Sequence, residues 1–269
     1  MADTAVFSPS RRFVLGAIGL GVAGFAVGCT AAEATGPVTQ SSLGDYVRVG
    51  SDNTVTVYLR HLEFGQGVST GLTTIVAEEI DADWSQMRFE HSPANDAKYG
   101  NPAFGGMMGT GGSTAIFSSW QQLRAAGASA REMLRQAAAK KWGVDPADVT
   151  VAKGVVQSGN NKATFGELAA EAAAIEPPKP ESLTYKDASA YAFIGKERDR
   201  SQSFGRLDTP DKVHARATYA LDYQPDGVLT ALVARSPKFG GKVASFDDSA
   251  AKAVSGVTDV PVGRLAVAG

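Results

Sequence analysis

One cysteine, Cys29, stands in the 269 residues of the chain, and that scarcity excludes a good deal. A single thiol leaves no intrachain disulfide framework, no cysteine zinc site and no iron–sulfur site within these residues, so any iron–sulfur partner is another chain. Charge of one sign is missing too: 26 Lys and Arg against 28 Asp and Glu give a net charge of −2 and a pI near 6.0. The basic residues are scattered, without the clustered surface that phosphate backbones require, which argues against a general nucleic-acid binder. The three histidines, His61, His91 and His214, are far apart and lack metal-ligand spacing. Each reads as a structural or surface residue, and neither a metal-ligand set nor a His-based nucleophile triad follows. An apolar share of 43% is nonetheless enough to build cores in one large domain or two ordinary ones.

A long hydrophobic run is also absent. The apolar stretch from Gly16 to Val27 is about twelve residues, too short to cross a bilayer comfortably. It follows Ser10-Arg11-Arg12-Phe13-Val14-Leu15, the charged start of a bacterial export signal. The paired arginines resemble the twin-arginine signal, used for passengers exported already folded, and imply a periplasmic protein. An ordinary Sec signal fits fewer of these positions. Cys29 sits where a lipoprotein cysteine would, but alanine replaces the usual leucine three residues earlier; lipidation is the minor reading, and a small residue near a cleavage site the main one. Residues 1–29 are therefore expected to be a signal peptide, and 30–42, small and polar, a linker.

From there the pattern alternates between strand and helix. Tyr46–Val49 and Thr54–Leu59 alternate β-formers around Gly50-Ser51-Asp52-Asn53, a hairpin signature. Leu72, Ile75, Val76 and Ile80 recur at helical spacing, with Ser69 or Thr70 as the expected N-cap. Glu78, Glu79, Asp81 and Asp83 read as solvated helix-end residues. Met87–His91 reads as a strand. The segment from Ser92 to Gly112 holds two prolines and six glycines, longer than a compact connection needs and followed by a helix, which argues for function. In that helix Ile116, Trp120, Leu123, Gly127, Ala130, Leu134 and Ala137 form an apolar stripe, with Gly127 and Ala130 permitting close approach of another element. It should run some seven turns, to about Lys141. A hairpin about Lys153-Gly154, a short helix at Thr164–Ala174 with capping-box spacing, an exposed turn or boundary at Pro177–Pro180, and strands at Lys212–Tyr219 and Val228–Ala234 complete the reading.

Two glycine-rich turns each open a helix: His61-Leu62-Glu63-Phe64-Gly65-Gln66-Gly67, and Gly105 through Thr114. Free N–H groups and the helix dipole favour an anion there, and glycine lets a ligand approach the backbone. Two such mouths suggest a large anionic cofactor. The dinucleotide fingerprint fails, since Thr70 stands where its third glycine is needed, and no Gly-Lys-Ser/Thr follows a glycine loop. Glu63, awkward beside an anionic ligand, reads as a surface or capping residue.

The order of Glu63-Phe64-Gly65-Gln66-Gly67, the helix to Ile80, the strand near Phe89 and Thr110-Gly111-Gly112-Ser113-Thr114 opening a long helix resembles the molybdopterin-binding domain of the xanthine oxidase family. It is most similar to the large subunit of the isoquinoline 1-oxidoreductase and aldehyde dehydrogenase branch. Arg206-Leu207-Asp208, Lys212 through Asp222 and Ala234-Arg235-Ser236-Pro237 resemble the opening of that family's hammerhead domain, although His214-Ala215 replaces the usual Thr-Gly. The resemblance implies an α+β fold, with a molybdopterin-binding portion at 43–200 and the start of a hammerhead domain at 201–269. It implies a molybdenum hydroxylase that uses molybdopterin cytosine dinucleotide and water to oxidise an aldehyde or N-heterocycle. Electrons would leave through a separate small [2Fe-2S] subunit, with a cytochrome c subunit as a further partner. Phe64, Gly65, Gln66 and Gly67, with Thr110, Gly111, Gly112, Ser113 and Thr114, would bind the cofactor, Gly112 and Ser113 nearest the metal. The family's catalytic glutamate lies near its far C-terminus, so the base is expected beyond Gly269, this chain to be a fragment, and the fragment alone to be inactive. A non-catalytic exported binding or scaffold protein is the rival reading.

Overall fold

A computed structural model describes residues 37–196, 205–228 and 236–257. The export signal, Cys29, residues 30–36 of the linker and all but Val228 of the strand expected at 228–234 lie outside the described residues. The chain divides into two units between Phe204 and Gly205, and the first carries an α+β fold.

Its main sheet runs β1 (Gln40–Ser42), β2 (Val47–Gly50), β3 (Val55–Leu59) and β4 (Met87–His91), in that order. The first three strands are antiparallel, the β2–β3 pair being the expected hairpin, and β3 and β4 are parallel, with Val55 opposite Met87 and Leu59 opposite His91. A parallel pair needs a crossover, supplied here by α1 (Val68–Ile80). β1 occupies the end of the expected linker. Its three polar residues carry no β pattern and join the sheet through backbone pairing with Arg48–Gly50.

A short α2 (Asp96–Tyr99) interrupts the glycine-rich segment before the long α3 (Ala115–Trp142), which Gly143 ends in a left-handed conformation. α3 packs on α1. A β-carbon on Gly127 would lie 2.8 Å from Glu79 Cβ and 2.9 Å from the Val76 carbonyl oxygen, so this glycine permits the close helix approach that the stripe implied. Leu123, Ala130, Leu134 and Ala137 are buried with Leu72, Ile75, Val76 and Ile80 of α1 and the valines of β2 and β3. The stripe departs from expectation at its start, where Ile116 is exposed. Beyond α3, β5 (Thr150–Ala152), β6 (Val155–Ser158) and β7 (Asn161–Thr164) form an antiparallel meander around Lys153-Gly154. β7, with no β-former but Thr164, was not legible. α4 (Phe165–Ala173) starts with the expected capping box between Thr164 and Glu167 and packs on β1, β2 and α3.

Glu78 and Glu79 correct the sequence reading: each is only 1% exposed. Glu78 accepts from the backbone N–H groups of Ala192, Phe193 and Ile194 and from Lys186 Nζ. Glu79 accepts from Arg124 Nε at 2.6 Å and from the Lys186 N–H, and Arg131 donates to its carbonyl oxygen. Arg124 and Arg131 also donate to the carbonyls of Lys186 and Thr184. These charges are buried because each is paired and hydrogen-bonded, and together they hold residues 184–196 against α1 and α3. Asp81 takes part, accepting from Lys186 Nζ at 2.7 Å, while Asp83 caps a 3₁₀ turn at Trp84–Gln86. Glu78 and Glu79 are thus not solvated ends and Asp81 is partly covered, while Asp83 is exposed as expected.

In the second unit, α5 (Thr209–Val213) and α6 (Ser249–Lys252) are the helices among the described residues. The strand expected at Lys212–Tyr219 does not form. Thr209-Pro210-Asp211 is helix-start chemistry, Asp208 binds Arg206 and Lys212, and residues 214–219 find no partner strand among the described residues. Among those residues no apolar side chain of this unit is buried.

Candidate functional site

β3 hands the chain to the first glycine turn. Gly65 and Gly67 take φ of 118° and 84°, a region that penalises any β-carbon. Gly67, not Ser69 or Thr70, is the N-cap of α1. The amides expected to be free are in use. Glu63 Oε1 accepts from the N–H groups of Gly65 at 2.8 Å and Gly67 at 3.0 Å, and Oε2 accepts from Ser69 at 3.0 Å. Gln66 closes the rest, accepting from the Phe64 N–H and donating to the Leu62 carbonyl. The carboxylate thus supplies the negative charge that the helix dipole favours, and the capping role read for Glu63 is what the geometry shows.

The second turn is built around Asn101, which is fully buried. Its side chain accepts from the Ala103 N–H and donates to the Gly109 carbonyl and Thr114 Oγ1. Its carbonyl accepts from Phe104 and Gly106, and its own N–H donates to Met107. Gly105, Gly106 and Gly112 have φ of 66°, 90° and 58°, and Ser113 joins them at 55°. Nothing lies within 4 Å of a β-carbon placed on Gly105 or Gly106, so a ligand has room beside the backbone. Thr114, the N-cap of α3, turns its hydroxyl to the Gly111 carbonyl and makes no capping bond to the helix. The opening turn of α3 also carries no acidic residue.

The two turns adjoin. Arg60 Nη1 donates to the Gly100 carbonyl at 2.8 Å, and Nη2 to the Ser118 carbonyl at 2.5 Å; the Leu62 N–H donates to Thr110 Oγ1 at 2.8 Å. A β-carbon on Gly71 would touch Ile116 Cδ1 at 3.1 Å, which places the starts of α1 and α3 side by side. Between Arg60 and Leu62, His61 is fully buried. Burial, then the Arg60 charge, holds its pKa down to about 4, with the nearby Gly109 carbonyl opposing the shift; the ring is neutral at physiological pH. Burial likewise pushes Tyr46, under Lys98 and Tyr99, up to about 12.

Around the turns stand exposed apolar side chains: Leu62, Phe64, Met107, Ile116 and Phe117, the last 82% exposed. A cavity of about 260 Å³ between Gly71, Ile116, Trp120 and Phe193–Lys196 is below the size of an ordinary ligand pocket and too small for a dinucleotide.

Of the sequence-predicted site residues, Phe64, Gly65, Gln66 and Gly67 lie at one turn and Thr110, Gly111, Gly112, Ser113 and Thr114 at the other, brought together by Arg60 and Leu62. His91 ends β4, paired with Leu59, and His214 follows α5 in the second unit. Sequence reasoning missed Arg60 and Asn101. Asn101 carried a signal, since Gly100-Asn101-Pro102 is a turn sequence; Arg60 carried none.

The model of the molybdopterin cofactor-binding domain family matches residues 8–209. Curated relatives include the beta chain of isoquinoline 1-oxidoreductase from Brevundimonas diminuta, 33% identical over 85% of this chain and 33% of the relative. The membrane-bound aldehyde dehydrogenase [pyrroloquinoline-quinone] of Gluconacetobacter polyoxogenes is 32% identical over 93% of this chain and 32% of the relative. A nicotinate dehydrogenase subunit of Pseudomonas putida is 29% identical over 88% of the chain and 20% of the relative. The chain thus spans about a third or less of the length of these relatives. Among solved structures, quinoline 2-oxidoreductase from Pseudomonas putida 86 aligns with a TM-score of 0.37 at 20% identity, over 53% of this chain and 18% of that one.

Proposed function

We propose, from the premise that the chain belongs to the molybdopterin cofactor-binding domain family of xanthine oxidase-type molybdenum enzymes, that its two glycine turns form part of the cradle for molybdopterin cytosine dinucleotide. The enzyme to which it contributes is an oxidoreductase that hydroxylates an aldehyde or a nitrogen heterocycle with oxygen from water. The observation that carries the reading is the second turn, which has open space beside Gly105 and Gly106 and ends at the start of a 28-residue helix with no side-chain cap and no acid in its first turn.

The residues present fit such a group. The opening amides of α3 would hold a phosphate through N–H groups and the helix dipole, without a cation. Gly105 and Gly106 leave open space beside the backbone, and the fixed turn around Asn101 spares the cost of ordering the loop on binding. At the first turn Glu63 already satisfies Gly65, Gly67 and Ser69, so contact there falls to Phe64 and the Gln66 amide. When bound, the cofactor supplies the metal at which substrate is oxidised. The chain's residues hold and orient it, and the exposed Phe64, Met107 and Phe117 provide apolar surface around it.

The paired arginines and short apolar run at the N-terminus support twin-arginine export to the periplasm, with attachment to the membrane through a partner or a lipidated Cys29 as an accessory feature. The single cysteine supports a separate [2Fe-2S] subunit as electron acceptor, and a cytochrome c subunit extends that chain. The residues from 201 onward are the proposed start of a hammerhead domain.

Expression in its natural reading frame, in a host that makes the cytosine dinucleotide and with the partner subunit, tests the reading. Stoichiometric molybdenum, with CMP released on acid hydrolysis, is expected; folded protein free of both contradicts it.

A further inference from the structure

Among the described residues, every buried side-chain nitrogen or oxygen without a hydrogen-bond partner lies in one of five residues: Arg60, His61, Ser69, Ser92 and Ser119. Such atoms are scarce in folded proteins, and each one calls for an explanation. Here all five lie at one end of the fold. Arg60 and His61 follow β3, Ser92 follows β4, and Ser69 and Ser119 stand in the opening turns of α1 and α3. That end is the one that carries both glycine turns.

His61 is the most telling member. Both ring nitrogens are buried and lack a hydrogen bond of ordinary geometry, yet an apolar side chain would fill the same slot without the cost of desolvating them. The residues on either side reach across to the second turn: Arg60 to Gly100 and Ser118, Leu62 to Thr110. His61 approaches the carbonyl of Gly109, an oxygen that Asn101 Nδ2 also reaches at 3.2 Å. Three consecutive residues after β3 thus address Gly100, the Gly109–Thr110 stretch and Ser118 in α3. The run Gly109-Thr110-Gly111-Gly112 has one side chain beyond hydrogen, so its position is set from outside.

We infer that His61, buried between the Arg60 and Leu62 bonds to Gly100, Ser118 and Thr110, is a positioning residue whose neutral imidazole backs the loop at Gly109 and fixes the spacing between the two glycine turns. It holds the second turn in the geometry that receives a phosphate of the cofactor, and in that respect the inference rests on the function proposed above. The ring acts through the loop and touches neither cofactor nor substrate.

The test compares His61→Phe with His61→Gln in the natural reading frame, co-expressed as above. Phe keeps the volume and removes both nitrogens; Gln keeps a neutral polar group. Thermal midpoint, molybdenum per folded molecule and amide hydrogen exchange at residues 109–114 are read together. H61F should keep the wild-type midpoint or exceed it, exchange about tenfold faster over 109–114, and retain about a tenth of the molybdenum after dialysis; H61Q should recover most of both. A purely structural role would instead lower the midpoint of H61F and leave the molybdenum of the folded fraction unchanged, which overturns the inference, as does wild-type exchange in H61F. Should H61F fail to fold, the pair His61→Gln and His61→Ala carries the same comparison. A wild-type protein without molybdenum contradicts the proposed function alone, because the exchange arm still decides whether His61 sets the loop.

Discussion

Two glycine turns meet at one end of this fold, and the chain treats them in opposite ways. At the first, Glu63 folds back and supplies a carboxylate to three amides at the start of α1. At the second, Thr114 turns away from the helix, and α3 begins without a side-chain cap. Glycine content does not tell them apart; the acid within reach does. A glycine-rich helix start is therefore a place where an anion is stabilised, and whether that anion is internal or bound depends on one nearby side chain.

Mutations can break this contrast one turn at a time. Asn101→Ala should have the largest effect, because it removes three side-chain hydrogen bonds from a buried position. A loss of about 3 kcal/mol in denaturant unfolding is expected, with faster amide exchange over 100–114 and little change at 63–69. Lowering the pH should act next. The folded-state pKa of His61, about 4, lies below the ordinary 6.5, so between those values the unfolded chain binds the extra proton. Its contribution is complete above about pH 6.5 and is lost as pH falls through about 4, amounting to about 2–3 kcal/mol. Wild type and H61F should therefore draw apart across that window, the wild type losing stability towards the acid end while H61F, without the imidazole, lacks that loss.

Glu63→Ala uncaps the first turn and should cost about 2 kcal/mol, read as a lower urea midpoint with faster exchange at 65–69 and the second turn unaffected. The smallest effect is expected at Ser113, a non-glycine residue at φ 55°. Ser113→Gly should stabilise by about 0.5–1 kcal/mol through relief of that conformation, measured as a small rise in thermal midpoint.

Much of the frame was legible because it depends on neighbours in sequence. The hairpin of β2 and β3, the C-terminal end of α1, both ends of α3, and the capping box at Thr164 all follow from residues within a few positions of one another. So did the location of both turns and the close approach at Gly127. What escaped depends on distant partners. Glu78 and Glu79 look solvated until Lys186 and the amides of 192–194, more than 100 residues on, are folded against them. Arg60 reaches 58 residues to Ser118, and no local pattern announces that. The strand expected at 212–219 is absent for the converse reason: an alternating pattern is a strand only if another strand pairs with it, none does so among the described residues, and Pro210 with Asp211 favours the helix that forms.

Amide hydrogen exchange, compared between protein made with and without molybdopterin synthesis in the host, tests the central claim most directly. Protection should rise at Ala115, Ile116 and Phe117, the opening amides of α3, while Gly65, Gly67 and Ser69 keep the protection that Glu63 already gives them. Protection gained at the first turn with none at the second would contradict it.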